Sequence, residues 1–141
     1  MDVRDAVEAD ADALAAIGDA PMDVMRELVH DRTVRVATRL RESGPNDDTG
    51  GDDGEEVVGF VSYDARERTV HVTQLAGTTE ACQRLLAAPT RFAASEEMDV
   101  EFLAESDHDS AREAATAVGF AEVGPGPTFA GRRTVRYRYE P

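Results

Sequence analysis

The sequence predicts an α+β fold, in which helices flank a mixed and mostly antiparallel central sheet. Three observations lead to this prediction. The predicted elements follow the order β-α-α-β-β-β-α-β-α-β-β, in which strands outnumber helices. The predicted strands 57–63 and 69–75 are separated by a short turn and should form an antiparallel hairpin. Residues 110–124 are typical of a helix that ends at a glycine and runs directly into a strand.

The composition fits one globular domain with an acidic surface. The chain has 141 residues, 29 acidic and 15 basic, for a net charge of −14, and every basic residue is an arginine. We expect a single domain over residues 1–141. An acidic surface repels itself at low salt and is relieved when salt screens its charges, so the composition favours adaptation to a saline cytosol. An acidic face for a cationic partner is the alternative.

The same composition limits the partners and the compartment. A nucleic-acid partner is not expected, because phosphate binding requires a basic surface. No segment reaches the roughly 20 apolar residues of a membrane span, and the first residues lack the apolar run of a signal peptide. Cys82 is the single cysteine, which excludes an internal disulfide, and it fits a small buried side chain better than a nucleophile. We expect a cytoplasmic protein, with a homodimer as one oligomeric state to test.

The first half of the chain predicts two strands, two helices and a loop. A short strand at 3–7 precedes a helix that ends at Gly18, and Pro21 suits the first position of a second helix. Apolar and arginine side chains alternate over 33–40, which predicts a half-buried strand. Residues 42–56 hold glycine, proline, asparagine and aspartate with almost nothing apolar, which predicts a mobile acidic loop.

The second half continues the alternation of strands and helices. The first strand of the predicted hairpin is apolar on both faces, as a central strand should be. Its partner leads into a helix introduced by Gly77, and Pro89 should kink or split this helix. A further strand covers 99–104, and the alternating strand 134–139 closes the chain.

Residues 110–124 carry the clearest local signals. Ser110 and Glu113 have the spacing of a capping box, in which each side chain satisfies a free N–H of the first turn. Gly119 suits the residue that ends a helix, and Phe120 begins the strand that follows. The apolar stripe of this helix consists of Ala111, Ala114, Ala115 and Val118.

The order of elements resembles that of the GNAT acyltransferases (Gcn5-related N-acetyltransferases) over nearly the whole chain. Three stretches carry the resemblance: 3–14, 57–63 and 111–124. The resemblance implies a strand pair that splays apart, with the exposed backbone of 70–75 pairing with the pantetheine arm of acetyl-CoA. It also implies transfer of an acetyl or other acyl group from acetyl-CoA to an amine of a small molecule or peptide.

The resemblance also identifies a cofactor loop that is altered in this chain. In the family this loop has the pattern Arg/Gln-x-x-Gly-x-Gly/Ala, and its N–H groups hold the pyrophosphate at a helix N-terminus. The segment 74–79 keeps the first glycine but ends in threonine, and an alignment on Leu85 and Leu86 places Gly77 at the Arg/Gln position. The two threonines have helix capping as an alternative role. The cofactor-binding residues implied by the resemblance are Leu75, Ala76, Gly77, Thr78 and Thr79.

The candidate catalytic groups differ from the family pattern. Many family members place a tyrosine, the general acid, where this chain has Ala115, which has no proton to give. His71 precedes the cofactor loop and is the candidate base, because histidine titrates near neutrality. A structural histidine is the alternative. His108 replaces a frequent asparagine, and Glu101 is a generic carboxylate on the next strand. The three histidines and one cysteine show no metal-ligand spacing.

The sequence leaves three functions open. The leading hypothesis is the acyltransferase, and the first alternative is a binding or interaction module of the same fold that has lost acyl transfer. The second alternative is a ferredoxin-like sensor of a small acidic ligand, in which the strands 70–75 and 99–104 would be antiparallel or fully paired. Such a ligand would use the arginines near the C-terminus, although cross-strand salt bridges are their favoured role. These arginines are Arg132, Arg133, Arg136 and Arg138.

Overall fold

The computed structural model describes residues 1–40 and 54–141. The predicted order of strands and helices is confirmed, and a short 3-10 turn leads into the first helix. The elements are β1 (Asp2–Asp5), α1 (Ala11–Gly18), α2 (Met22–Asp31), β2 (Thr33–Leu40), β3 (Glu55–Arg66), β4 (Thr69–Gly77), α3 (Thr79–Ser95), β5 (Asp99–Glu105), α4 (Asp109–Ala117), β6 (Ala121–Pro125) and β7 (Thr134–Tyr139).

The strands form one sheet of seven, in the order β1-β2-β3-β4-β5-β7-β6. β4 and β5 are parallel, and every other pair of neighbours within the described ranges is antiparallel. The predicted fold class, a mixed and mostly antiparallel sheet with flanking helices, is therefore confirmed. Most of the predicted acidic loop, residues 42–53, lies outside the described residues, and β3 already begins at Glu55. The single domain over 1–141 stays a prediction.

β3 is buried on both faces and so divides the core in two. Phe60 packs with side chains of α1, α2 and β2, whereas Val61 packs with side chains of α3, α4 and β5. Successive side chains of a strand point to opposite faces of the sheet. The pair α1 and α2 therefore covers one face, and the pair α3 and α4 covers the other. The two-sided burial predicted for this strand is confirmed.

α3 runs through Pro89 as one helix of 17 residues, so the predicted split of this helix is wrong. Proline removes the N–H that would reach back one turn. Thr90 follows it, and its hydroxyl donates to the carbonyl of Leu86 at 2.9 Å. None of the helices within 1–40 and 54–141 combines the length and the apolar character that a membrane crossing requires.

α4 ends as predicted but begins differently. At its C-terminus Gly119 has a φ of 106°, and the N–H of Phe120 donates to Ala115 O at 2.9 Å, which is the bond of a Schellman motif. The predicted capping box is wrong, because α4 starts two residues earlier than a Ser110 cap would place it, and His108 is its N-cap. The hydroxyl of Ser110 instead donates to Gly77 O at 3.1 Å and ties α4 to the end of β4.

A bulge in β4 determines where the sheet opens. The register of β3 against β4 shifts at Ser62, which leaves Thr73 as an extra residue in β4. The Thr73 hydroxyl donates to Ser62 O at 3.1 Å and lies 2.9 Å from Ser62 Oγ. Parallel pairing with β5 ends at Val72, immediately before the bulge, because a bulge bends and twists its strand. A parallel, partly paired β4 and β5 excludes the ferredoxin-like sensor.

One buried carboxylate joins three elements at the other edge of the sheet. Asp10 accepts from the Arg4 guanidinium at 2.8 and 2.9 Å and from the Val7 N–H at 2.8 Å. The Arg4 Nε also donates to Glu55 at 2.8 Å, which links β1 to β3. Burial on its own would raise the pKa of Asp10, but the hydrogen bonds from Arg4 and Val7 lower it.

We expect Asp10→Asn to lower the free energy of unfolding by about 1–3 kcal/mol at neutral pH, because the charge-assisted hydrogen bonds from Arg4 and from the Val7 N–H to the buried carboxylate are lost. The pKa of Asp10 is lowered in the folded state, so its contribution is full above the ordinary value of 3.8 and declines as the pH falls through the folded pKa. Denaturant unfolding at pH 7 and pH 3 should show a smaller difference between variant and wild type at the lower pH. Asp12→Asn, at an exposed position of α1, is the control. An equal loss at both pH values would contradict the assignment.

Candidate functional site

A cleft of about 830 Å³ opens where β4 and β5 separate. Its walls are the last part of β4 from His71 to Gly77, the end of β5 from Glu101 to Glu105, and the end of α1. Phe129 and Arg132, in the connection between β6 and β7, close the remaining side. The cleft therefore lies at the splayed pair that the family resemblance implies.

The β4 side of the cleft offers free main-chain groups. β4 pairs with β3 along its whole length, but its pairing with β5 stops at Val72. The backbone groups of Thr73 to Gly77 that face the cleft therefore have no partner strand within the described residues. An exposed strand edge of this kind pairs with an extended ligand through main-chain hydrogen bonds.

The end of β4 is pressed against β3. Gly77 has a φ of 127°, and a Cβ added to it would overlap the carbonyl oxygen of Val58. Its partner in the register is Gly59, where an added Cβ would lie 2.9 Å from Ala76 O. The two glycines let the strands cross closely. Gly77 is thus required by packing between strands, whatever its role toward a ligand.

Only Thr78 separates β4 from α3. Thr78 is the N-cap of α3, and its hydroxyl accepts from the Ala81 N–H at 3.1 Å, which confirms the capping role. Of the predicted cofactor-binding residues, the structure places Leu75, Ala76 and Gly77 in the cleft lining. Thr78 and Thr79 lie outside that lining.

His71 is in the cleft wall, half-buried, at the last paired part of β4. Its cross-strand neighbours are Asp64 on β3 and Glu101 on β5. Asp64 Oδ2 pairs with Arg32, whereas its Oδ1 is buried and has no hydrogen-bond partner in the described part of the chain. The candidate base therefore stands between two carboxylates, at the point where the sheet opens.

The α4 side of the cleft lacks the usual acid. Ala115 is fully buried in the core and is not in the cleft lining. Tyr137 is also buried, and its hydroxyl accepts from the Arg112 Nε at 3.0 Å. No tyrosine is among the described residues that line the cleft, whereas His108 is. The His108 side chain makes no capping hydrogen bond to α4.

Two other predictions concern Cys82 and the C-terminal arginines, which have no role in the proposed reaction. Cys82 is fully buried, and burial raises the pKa of its thiol to about 12, so it carries no thiolate at neutral pH. Three of the four C-terminal arginines form ion pairs within the described residues: Arg136 and Arg138 do so from β7 to β5, as the favoured interpretation predicts, and Arg132 does so from the β6–β7 connection. Arg132 contacts Glu105 at 3.1 Å, and Arg138 contacts Asp99 at 2.6 Å.

Sequence reasoning missed the walls contributed by α1 and by the β6–β7 connection. Ile17, Asp19 and Phe129 line the cleft although they are far apart in the sequence. Phe129 is 57% exposed. A local pattern does not reveal such convergence, since it is the order of the strands in the sheet that brings these segments together. The turn signal around Pro125 and Pro127 located the connection, but not what it faces.

Comparison with solved structures identifies the fold. Ribosomal-protein-alanine N-acetyltransferase from Brucella melitensis superposes with a TM-score of 0.70 at 17% identity, with 100% of each chain covered. A protein from Thermus thermophilus, TTHA1254, gives 0.67 at 26% identity, over 92% of this chain and 95% of that one. The protein yncA from Salmonella typhimurium, solved with its cofactor acetyl-CoA, gives 0.69 at 15% identity, over 99% and 93%. No family model matches the chain, and no curated protein matches it in sequence.

We expect Gly77→Ala to destabilise the protein by about 2 kcal/mol or more, because it combines a strained φ with an overlap against the β3 backbone. Gly124→Ala is a matched control, since Gly124 has a φ of 128° but no atom within 4 Å of an added Cβ. Thermal and denaturant unfolding of both variants separates the overlap from the strain. Equal losses in the two variants would mean that the contact with Val58 contributes nothing.

Proposed function

Because the chain has the GNAT fold, we propose that it is an acyltransferase that moves an acetyl or other acyl group from acetyl-CoA to an amine. The observation that carries the proposal is the cleft at the splayed strands, with the free β4 edge from Thr73 to Ala76 along one wall. The names of the similar structures support it. One is an N-acetyltransferase of a ribosomal-protein alanine, and another was solved with acetyl-CoA as its cofactor.

The cleft fits the acyl-bearing end of acetyl-CoA. Its volume of about 830 Å³ lies in the range of ligand sites. The pantetheine arm is extended and carries two amides, so its hydrogen-bonding groups match those of a free strand edge. The backbone of Thr73 to Ala76 would hold the arm, and the side chains of Leu75 and Ala76 would flank it. Acetyl-CoA supplies the thioester, whose carbonyl carbon the amine attacks.

We propose that His71 removes the proton from the acceptor amine, directly or through one water. It is half-buried in the cleft wall and stands where the strands part. Asp64 lies opposite His71 on the neighbouring strand, but its Oδ1 accepts no hydrogen bond from His71 in the described part of the chain. A neutral imidazole ring always has one unprotonated nitrogen, and this nitrogen would be the base.

The acceptor enters from the side bounded by α1 and the β6–β7 connection. This side combines apolar surface from Ile17 and Phe129 with the carboxylate of Asp19. It suits an amine on a small molecule or on a peptide end. A homodimer stays a prediction. A saline cytoplasm as the environment of the protein also stays a prediction, and the net charge of −14 supports it.

The direct test is acyl transfer in molar salt. Purified protein is incubated with acetyl-CoA and a panel of amines and peptides, and acetylated products are followed by mass spectrometry. Isothermal titration with acetyl-CoA gives the binding step independently. Binding together with an acetylated amine supports the proposal. Absence of both binding heat and a shift in melting temperature would refute the enzyme and favour the interaction module.

We expect His71→Gln to lower kcat by about 10²- to 10⁴-fold near neutral pH, the usual contribution of a general base. The loss should shrink at high pH, because the amine then reaches the cleft already deprotonated. His30→Gln is the control, since His30 lies on α2, its side chain is 63% exposed, and it is not in the cleft lining. A pH-rate profile with unchanged shape and height in His71→Gln would exclude this base.

A further inference from the structure

The start of α3 has few groups left for a phosphate. A helix N-terminus binds anions through its free N–H groups and its dipole. In α3 the Thr78 N–H donates to Val58 O at 3.3 Å, and the Ala81 N–H donates to the Thr78 hydroxyl at 3.1 Å. The Thr78 hydroxyl is occupied as the cap. Only the amides of Thr79 and Glu80 remain for a ligand in this first turn.

The charge at the same place is unfavourable. Glu80 lies in the first turn of α3, and that turn contains no basic residue. The nearest arginine along the helix, Arg84, has its Nε 3.8 Å from Glu80 and partly neutralises it. The net charge of the whole chain, −14, also disfavours binding of an anion. A carboxylate stabilises the start of a helix, but it repels a pyrophosphate that would bind to the same amides.

The shape of the cleft, like the charge, is unfavourable for a pyrophosphate at the start of α3. The cleft lining reaches Gly77 and does not extend to the residues that begin α3. With Thr78 alone between β4 and α3, there is no loop to wrap around a pyrophosphate. The Ser110 hydroxyl holds Gly77 O at 3.1 Å, so α4 is fastened to the end of β4. The β4 edge can therefore hold an arm, whereas the nucleotide would lie beyond the cleft.

We propose that this chain recognises its acyl donor through the pantetheine arm, so that acyl-pantetheine thioesters without a nucleotide are donors equivalent to acyl-CoA. The inference rests on the proposed acyl transfer. With either donor the amine nitrogen bonds to the carbonyl carbon, the C–S bond breaks to release a thiolate, the amine proton passes by way of His71 to solvent, and the thiolate takes up a proton from solvent. The thiol product is pantetheine in one case and CoA in the other.

The test compares binding of CoA and of pantetheine to the intact protein by isothermal titration in the same buffer. We expect the two Kd values to differ by less than tenfold, about 1.4 kcal/mol. Binding of CoA that is tenfold or more tighter would overturn the inference, because a nucleotide site would then exist. Failure of both ligands to bind would overturn it as well.

A charge reversal gives a second readout. Glu80→Arg should tighten CoA by at least about threefold and leave pantetheine unchanged, because it replaces repulsion at the helix N-terminus by attraction. Glu96→Arg is the matched control, since it reverses an exposed charge at the opposite end of α3. An unchanged ratio of the two Kd values in Glu80→Arg would contradict the role assigned to Glu80.

Activity separates this inference from the proposed function. Acetyl-CoA and S-acetyl-pantetheine are offered with the same acceptor, and the acetylated amine is quantified. Comparable kcat/KM values for the two donors support the inference. If acetyl-CoA alone is used, the acyltransferase stands and the inference fails. If neither donor yields product while both thiols bind, the proposed function fails and the recognition of the arm stands.

Discussion

The site depends on one extra residue in β4. The bulge at Thr73 comes directly after the last residue of β4 that pairs with β5, and a bulge bends and twists its strand. The bulge is held by the hydrogen bond from Thr73 to Ser62, so the opening of the sheet is fixed from the β3 side. β5 meanwhile continues in antiparallel pairing with β7 to Glu105. The cleft therefore arises from bending one strand, and both strands keep a partner on their outer side.

At the end of β4, the fold itself uses main-chain amides that a ligand would otherwise bind. The close crossing of Gly59 and Gly77 draws β4 tightly onto β3, and α3 starts after a single residue. This compact path satisfies the amides of Thr78 and Ala81 within the protein. The same bonds remove these amides from any ligand. A longer loop would leave more N–H groups open, so the shortening strengthens the fold locally and weakens an anion site at the same point.

Local patterns predicted the fold well, because hairpins and helix ends are local. The hairpin of β3 and β4 and the glycine end of α4 followed from turn spacing and from Gly119. The capping box failed because Ser110 bonds to Gly77, 33 residues away in sequence, which no pattern within α4 encodes. The site was predictable on its β4 side, where the resemblance pointed to Leu75, Ala76 and Gly77. Its far walls include Ile17 and Phe129. Tertiary packing brings these residues to the cleft, and the sequence around each of them does not indicate it.

Alanine replaces the general-acid tyrosine at position 115. We expect this replacement to slow the proposed reaction less than the loss of the general base would. A cysteine thiol has a pKa near 8.5, and an alkyl thiolate of this kind is a weak enough base to leave without a proton donor. An amine has a pKa of about 8 to 10.4, depending on its type, and must lose a proton before or during attack. Ala115 is also fully buried in a close-packed core, so its position on α4 is not accessible from the cleft. In the proposed reaction, proton removal by His71 is therefore the step that needs a protein side chain, whereas the thiolate leaving group needs none.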